Sequence, residues 1–277
     1  MPQPQNVIAV VFDYDKTLSP SYMQEDGIFK RFGIDSRAFW TRTNALVADE
    51  LYENELAWMY QLLDDPNVRA LSNADLRKLG AELTFYPGLP DALPQMRGVL
   101  DTTKHREFGL QLEYYVVTSG LKELVKGSTL APHLKAIFGC EFDEKDGRIA
   151  RPKRCVSHTG KTQMLFRISK NMIAMSEDVN QHMPREELRI PFWNMVYVGD
   201  GPTDVPCFAV MKNYGGRTVA VYDPSDDRAY TRCYELAVNE KRVDMMAEAD
   251  YAPRSQLRRT LERMVLEIAD KIVDRRK

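Results

Sequence analysis

The stretch VVFDYDKTLS, residues 10–19, indicates the fold of the whole chain. It starts within a continuous apolar run, residues 7–12, which is typical of a strand buried on both faces of a parallel sheet. Two carboxylates, Asp13 and Asp15, follow this run at once. Open α/β sheets bind ligands at the carboxyl ends of their strands, so acids placed there have a chemical use. The alternative is that one Asp only caps a turn.

Further apolar runs predict the other strands of this sheet. They lie at residues 114–118, 195–198 and 218–222, with a short last strand at 249–252. Helical patterns lie between the runs, so the sequence predicts an α/β fold: a Rossmann-like, doubly wound and mostly parallel sheet. Residues 140–151 have turn residues between two β-prone runs, which predicts a hairpin.

One region, residues 22–83, shows no strand pattern. Its apolar residues recur at helical spacing, and Ser72 or Asn73 is placed to cap a helix. We therefore expect a small helical cap domain at residues 19–84, inserted into a discontinuous core of residues 1–18 and 85–277. The cap aromatics Phe39, Trp40 and Trp58 fit core packing better than the lining of a substrate pocket.

The chain ends in a helical pattern from Gln256 onward, which predicts a helix packed on the core. A dimer contact through this helix stays open, so we expect a monomer or a homodimer.

A second acidic cluster follows the third predicted strand in the segment YVGDGPTD, which places Asp200 and Asp204 at the same edge of the sheet as the first pair. Like charges this close repel each other unless a cation or a bound proton compensates. Carboxylate oxygens suit Mg²⁺, a hard ion. The sequence therefore predicts a magnesium site, with turn formation by incidental acids as the alternative.

Two other elements can hold a phosphate group. Ser119 and Gly120 follow the second predicted strand, where a hydroxyl and backbone N–H groups can bind phosphate oxygens; Thr118 is the alternative hydroxyl. Lys161 opens a helical pattern and could neutralise phosphate and the aspartates. Each signal is weak alone, because Ser-Gly is commonly a turn and a lysine is commonly solvated.

In order along the chain, Asp13-x-Asp15-x-Thr17, Ser119, Lys161 and Gly199-Asp200-Gly201-x-x-Asp204 resemble the four motifs of the haloacid dehalogenase-like superfamily. The motifs span most of the chain, and all four in order are far more specific than any one. The helical insertion after the first motif and the Ser-Gly second motif are similar to the phosphoserine phosphatase-like branch.

The resemblance implies a Mg²⁺-dependent phosphatase that acts on a small phosphorylated metabolite. Asp13 would attack phosphorus and form an aspartyl-phosphate, and Asp15 would act as general acid and then as general base. Ser119 and Lys161 would hold the transferring group. The implied metal-site residues are Asp13, Asp15, Asp200 and Asp204, and the implied substrate-binding residues are Ser119, Gly120 and Lys161. Within the predicted cap, Glu25 and Arg31 are candidate substrate-binding residues by their charge, with a solvated helix face as the alternative for Arg31.

The chain departs from this branch in its substrate-binding residues. The branch has a glutamate nine positions after the nucleophile, where this chain has Tyr22, and its nearest acid is Glu25. Serine phosphate is therefore not implied as the substrate. Asp15 favours hydrolysis of a phosphate ester, with a phosphomutase or phosphotransferase, or a non-catalytic phosphate-binding scaffold, as alternatives.

Composition agrees with a cytoplasmic enzyme. The 277 residues have a formal net charge of -2, which argues against a nucleic-acid partner. No apolar run reaches the roughly 18 residues that span a bilayer, so we expect no membrane partner and no signal peptide. The four cysteines are widely spaced, which favours reduced thiols; a zinc site is the remote alternative.

Overall fold

The computed structural model describes residues 4–277, so residues 1–3 of the predicted core lie outside it. Within this range the chain forms one seven-stranded sheet with the strand order β4-β3-β2-β1-β5-β6-β7. The strands are β1 (Val7–Phe12), β2 (Gln111–Leu121), β3 (Ala136–Lys145), β4 (Arg148–Arg154), β5 (Met195–Gly199), β6 (Arg217–Tyr222) and β7 (Met245–Glu248).

The sheet is parallel except for the hairpin of β3 and β4. β1 lies between β2 and β5, and all six of its residues are buried. A strand with neighbours on both sides and helices on both faces has no solvated side, which explains why it reads as a continuous apolar run. The predicted α/β class, the parallel sheet and the hairpin are therefore confirmed.

Helices fill the segments between the strands. They are α1 (Lys30–Phe32), α2 (Ser36–Glu50), α3 (Asn54–Leu63), α4 (Pro66–Arg69), α5 (Asn73–Leu79), α6 (Ala92–Arg97), α7 (Thr103–Glu107), α8 (Lys122–Gly127), α9 (His158–Lys170), α10 (Val205–Asn213), α11 (Asp227–Tyr234) and α12 (Gln256–Arg276). None of the helices described in residues 4–277 is both long and apolar enough to cross a membrane.

The strand-free region contains α1 to α5, preceded by a π-helical turn at Glu25–Phe29. Of the two predicted caps of α5, Ser72 is the one used: its hydroxyl accepts a hydrogen bond from the Asp75 N–H, and the Asp75 carboxylate accepts one from the Ser72 N–H. This region packs on the sheet through α8, where Arg77 donates two hydrogen bonds to Glu123. The division at residues 19–84 into a separate cap domain stays a prediction.

Two strand predictions need correction. The last strand is Met245–Glu248, not residues 249–252, because the chain leaves β6 after Ala249 and the Tyr251 N–H donates to the carbonyl of Pro87. β3 begins as a parallel neighbour of β2 before it turns into the hairpin, and this first half was not predicted. The exposed and half-buried residues of these edge segments give a weaker pattern than buried strands do.

The C-terminal helix is confirmed. α12 begins after Ser255, whose hydroxyl caps it, and it buries an apolar face against β1, β5 and β7. Its buried residues include Leu257, Leu261, Val265 and Ile268, the four whose spacing predicted the helix.

Candidate active site

The end of β1 brings the first acidic pair to the second. The N–H of Asp13 donates to the carbonyl of Val198, so the chain leaving β1 stays beside the end of β5, where Asp200 follows. Asp13 is only 4% exposed. Two motifs that are 187 residues apart in sequence therefore share one edge of the sheet, as expected for neighbouring parallel strands.

Lys161 lies between two of the acids. It comes from the first turn of α9, is 1% exposed, and places its Nζ 2.8 Å from Asp13 Oδ1 and 2.8 Å from Asp204 Oδ1. Burial alone would lower the pKa of Lys161, but the carboxylates of Asp13 and Asp204 raise it above the usual value. The side chain is thus a fixed positive charge at the centre of the site, not a solvated surface lysine.

Asp204 is fully engaged by protein donors. Its Oδ1 also accepts a hydrogen bond of 2.6 Å from the hydroxyl of Tyr197, and its Oδ2 accepts one of 3.1 Å from the N–H of Asp200. Gly199 makes room for this carboxylate, since a Cβ there would lie 2.4 Å from Asp204 Oδ2. Asp204 thus orients Lys161 and the Asp200 loop, and it keeps fewer free lone pairs for a metal than Asp13 and Asp200 do.

The acidic cluster fits a cation. Carboxylate oxygens of Asp13, Asp200 and Asp204 lie within 4.8 Å of one another. Burial raises the pKa of Asp13 to about 6; the repulsion of Asp204 adds to this shift, and the attraction of Lys161 opposes it. Burial and the repulsion of Asp204 and Asp13 raise the pKa of Asp200 well above its usual value. A hard divalent ion would stabilise buried carboxylates that repel one another, and Asp13 and Asp200 have carboxylate oxygens free to bind it.

Asp15 has different surroundings. Its Oδ1 accepts a 2.7 Å hydrogen bond from the N–H of Met23, and burial together with the charge of Asp13 raises its pKa to about 8. The Met23 side chain in turn packs on Gly120, where a Cβ would lie 2.4 Å from Met23 Cε. Gly120 thus leaves room for the residue that holds Asp15.

Of the two hydroxyls left open by the sequence, Ser119 faces the site. Ser119 lines the cavity beside Asp13 and donates a 2.7 Å hydrogen bond to the carbonyl of Val156. Thr118 is fully buried, and its hydroxyl accepts from the N–H of Gly120. β2 extends to Leu121, so Ser119 and Gly120 lie within the strand and do not follow it as predicted, and Thr118 supports the segment where the pairing with β3 shifts register between Val117 and Leu121.

Asp13, Asp15, Ser119, Lys161 and Asp200 all line one cavity of about 430 Å³. Its core wall consists of Asp13, Asp15, Lys16, Ser119, His158, Lys161, Asp200 and Thr203. Its cap wall consists of Tyr22, Gln24, Trp40, Asn44, Asn54, Glu55 and Trp58. Phe39 and Trp58 belong to the hydrophobic core and Trp40 packs against it, as expected, but Trp40 and Trp58 also line the cavity.

The two predicted cap residues lie elsewhere. Arg31 is exposed and does not line the cavity. Glu25 accepts a hydrogen bond from the Ser36 hydroxyl and one of 3.1 Å from the indole N–H of Trp40. It therefore orients a residue of the cavity without lining the cavity itself.

Sequence reasoning also missed Met23, Tyr197 and Glu55. Tyr197 lies three residues before Asp200 in an apolar strand, and no local pattern distinguishes its hydroxyl from a core tyrosine.

The amino-acid sequence has a relative among known proteins, although that relative is itself uncharacterised. No protein-family model matches the chain. An uncharacterised protein of Borreliella burgdorferi is 29% identical over 287 residues, which cover 93% of this chain and 96% of that protein.

Two solved structures share the fold. A HAD family hydrolase of Salmonella enterica serovar Typhi superposes with a TM-score of 0.55 at 16% identity, covering 88% of this chain and 68% of that one. A phosphoserine phosphatase, solved as an analogue of its phospho-aspartyl intermediate, superposes with a TM-score of 0.55 at 17% identity, covering 93% and 99%. The fold is therefore that of the haloacid dehalogenase-like hydrolases and the phosphoserine phosphatases, as the sequence motifs predicted.

Proposed function

We propose that this protein is a Mg²⁺-dependent phosphatase that hydrolyses a small phosphomonoester through an aspartyl-phosphate on Asp13. The observation that carries the proposal is the meeting of Asp13, Asp15, Ser119, Lys161 and Asp200 in one cavity. The buried carboxylate of Asp13 can act as a nucleophile, and the ammonium of Lys161 beside it can bind phosphate. Asp15, whose pKa is raised, can act as an acid.

The difference between the two neighbouring acids supports their roles. Asp13 lies against Lys161, which favours its ionised form, so its oxygen attacks phosphorus while the bond to the ester oxygen breaks. Asp15, with a pKa of about 8, holds a proton at neutral pH and transfers it to the leaving oxygen. Asp15 then removes a proton from water, which attacks phosphorus, breaks the acyl-phosphate bond and regenerates Asp13.

The remaining groups bind and orient the phosphoryl group. Ser119 and Lys161 lie on the walls of the cavity where they can contact its oxygens, and the ammonium charge stabilises them as negative charge develops. Mg²⁺, held by Asp13, Asp200 and the backbone carbonyl of Asp15, would supply charge neutralisation. Asp204 acts as a positioning residue through Lys161.

Release of inorganic phosphate from p-nitrophenyl phosphate tests the proposal. We expect turnover with Mg²⁺, none in excess chelator, and none for Asp13→Asn, because an amide is a poor nucleophile. Asp15→Asn should accumulate a phosphorylated protein, detectable by mass spectrometry after rapid acid quenching. Asp64→Asn, the same change at an exposed position, is the control. Near-native turnover by Asp13→Asn would falsify the assignment of the nucleophile.

A further inference from the structure

The two walls of the cavity differ in chemistry. Every basic side chain that lines it, within residues 4–277, comes from the core wall: Lys16, His158 and Lys161. The cap wall offers three aromatic rings, three amides and one carboxylate. The core wall is therefore matched to a phosphate, and the cap wall is matched to a group that is not an anion.

Glu55 is the most informative residue of the cap wall. It lies in the first turn of α3 and is 1% exposed, and its buried Oε1 has no hydrogen-bond partner among the described residues. The nearest basic atom, His158 Nε2, is 3.9 Å away, beyond hydrogen-bonding distance. The hydroxyl proton of Ser119 is directed to the carbonyl of Val156.

A buried carboxylate oxygen without a donor is costly, because it loses its hydration without gaining a hydrogen bond. Burial accordingly raises the pKa of Glu55. Gln24, also on the cap wall, is 3% exposed. Its side-chain oxygen is likewise buried without a hydrogen-bond partner among residues 4–277. Gln24 and Glu55 both line the cavity and each has an acceptor oxygen without a donor, so a ligand that brings N–H groups suits this wall.

The aromatic rings of the same wall also favour a cation. The rings of Tyr22 and Trp40 are 5.3 Å apart, and Trp58 lines the same wall. The ammonium of Lys16 already lies 5.3 Å from the Tyr22 ring centroid, so the rings of Trp40 and Trp58 are the ones left for a substrate cation. Trp40 is held in place by its hydrogen bond to Glu25.

We propose, building on the phosphatase function above, that the substrate is a phosphorylated amino alcohol whose primary ammonium binds Glu55 and the aromatic cap wall. The ammonium donates to the Glu55 carboxylate and supplies the positive charge that the cap wall lacks. A substrate that also carried a carboxylate would meet Glu55 with no basic residue on the cap wall to compensate. The pocket thus distinguishes amino alcohol phosphates from amino acid phosphates.

The test compares kcat/KM for O-phosphoethanolamine with that for propyl phosphate, in which a methyl group replaces the ammonium. We expect a preference of at least about tenfold for the amine, the effect of one charge-assisted hydrogen bond. Glu55→Gln should reduce this ratio about tenfold. Glu53→Gln, the same change at an exposed position two residues away, should retain the ratio.

Three results would overturn the inference: equal kcat/KM for the two esters, an unchanged ratio in Glu55→Gln, or a higher kcat/KM for O-phosphoserine than for O-phosphoethanolamine. If Glu55→Gln does not fold, Trp40→Leu tests the same wall and should also lower the ratio. Hydrolysis of p-nitrophenyl phosphate without an amine preference overturns only this inference, whereas no hydrolysis of any ester with Mg²⁺ overturns the phosphatase function and the inference with it.

Discussion

Replacing Lys161 by Met should destabilise the protein strongly, because the change leaves two buried carboxylates without their cation. Each Nζ–Oδ1 separation is 2.8 Å. At an effective dielectric constant of about 20, one such pair attracts by about 6 kcal/mol before desolvation is subtracted. Removing one member of a buried ion pair costs about 3–5 kcal/mol, and we expect that loss at pH 7.

The loss should depend on pH in a defined direction. The pKa of Asp13 is about 6 with Lys161 present, against 3.8 ordinarily, and it rises further without the ammonium. An acid whose pKa is higher in the folded than in the unfolded state binds its proton preferentially when folded, so protonation stabilises the fold as the pH falls. The deficit of Lys161→Met should therefore be largest above pH 7 and smaller at pH 5.

Urea unfolding followed by circular dichroism, in the presence of chelator, measures this free energy. Lys153→Met, at an exposed position, is the matched control and should change stability by no more than about 0.5 kcal/mol. A Lys161→Met variant within about 1 kcal/mol of the wild type at pH 7, or a deficit that grows as the pH falls, would refute the reasoning.

Other substitutions test the supports of the site. Gly199→Ala places a Cβ 2.4 Å from Asp204 Oδ2 and should cost about 1–3 kcal/mol in urea unfolding; a loss below about 0.5 kcal/mol contradicts the packing argument. Tyr197→Phe removes a donor to a buried carboxylate and should cost about 1.5–3 kcal/mol, whereas Tyr60→Phe, at a position 45% exposed, should cost almost nothing. Asp200→Asn removes a buried charge that Asp13 and Asp204 repel, so it should raise the melting temperature in chelator. The same variant should lose the increase in melting temperature that Mg²⁺ causes in the wild type. An undiminished increase on adding Mg²⁺ argues against Asp200 as a ligand.

Local sequence patterns were enough to predict the parallel core of the sheet. A strand buried on both faces must be apolar throughout, so β1, β2, β5 and β6 are visible as runs in the sequence. The acids that follow β1 and β5 meet because parallel strands end at one edge. The edge strand β7 is half exposed, and its position was four residues from the predicted one.

Only the tertiary structure decided which cap residues face the site. Glu25 is the acid of the predicted cap that lies nearest in sequence to Asp13 and Asp15, yet its carboxylate accepts hydrogen bonds from Ser36 and Trp40. Glu55 is 42 residues from Asp13 and belongs to no motif, yet it lines the same cavity because α3 packs on α2 and on the hairpin strand β4. The sequence by itself determined which acids lie at the end of β1 and β5, because each follows its strand directly in the chain. The composition of the cap wall depends on helix packing, which arises from contacts between residues distant in the chain.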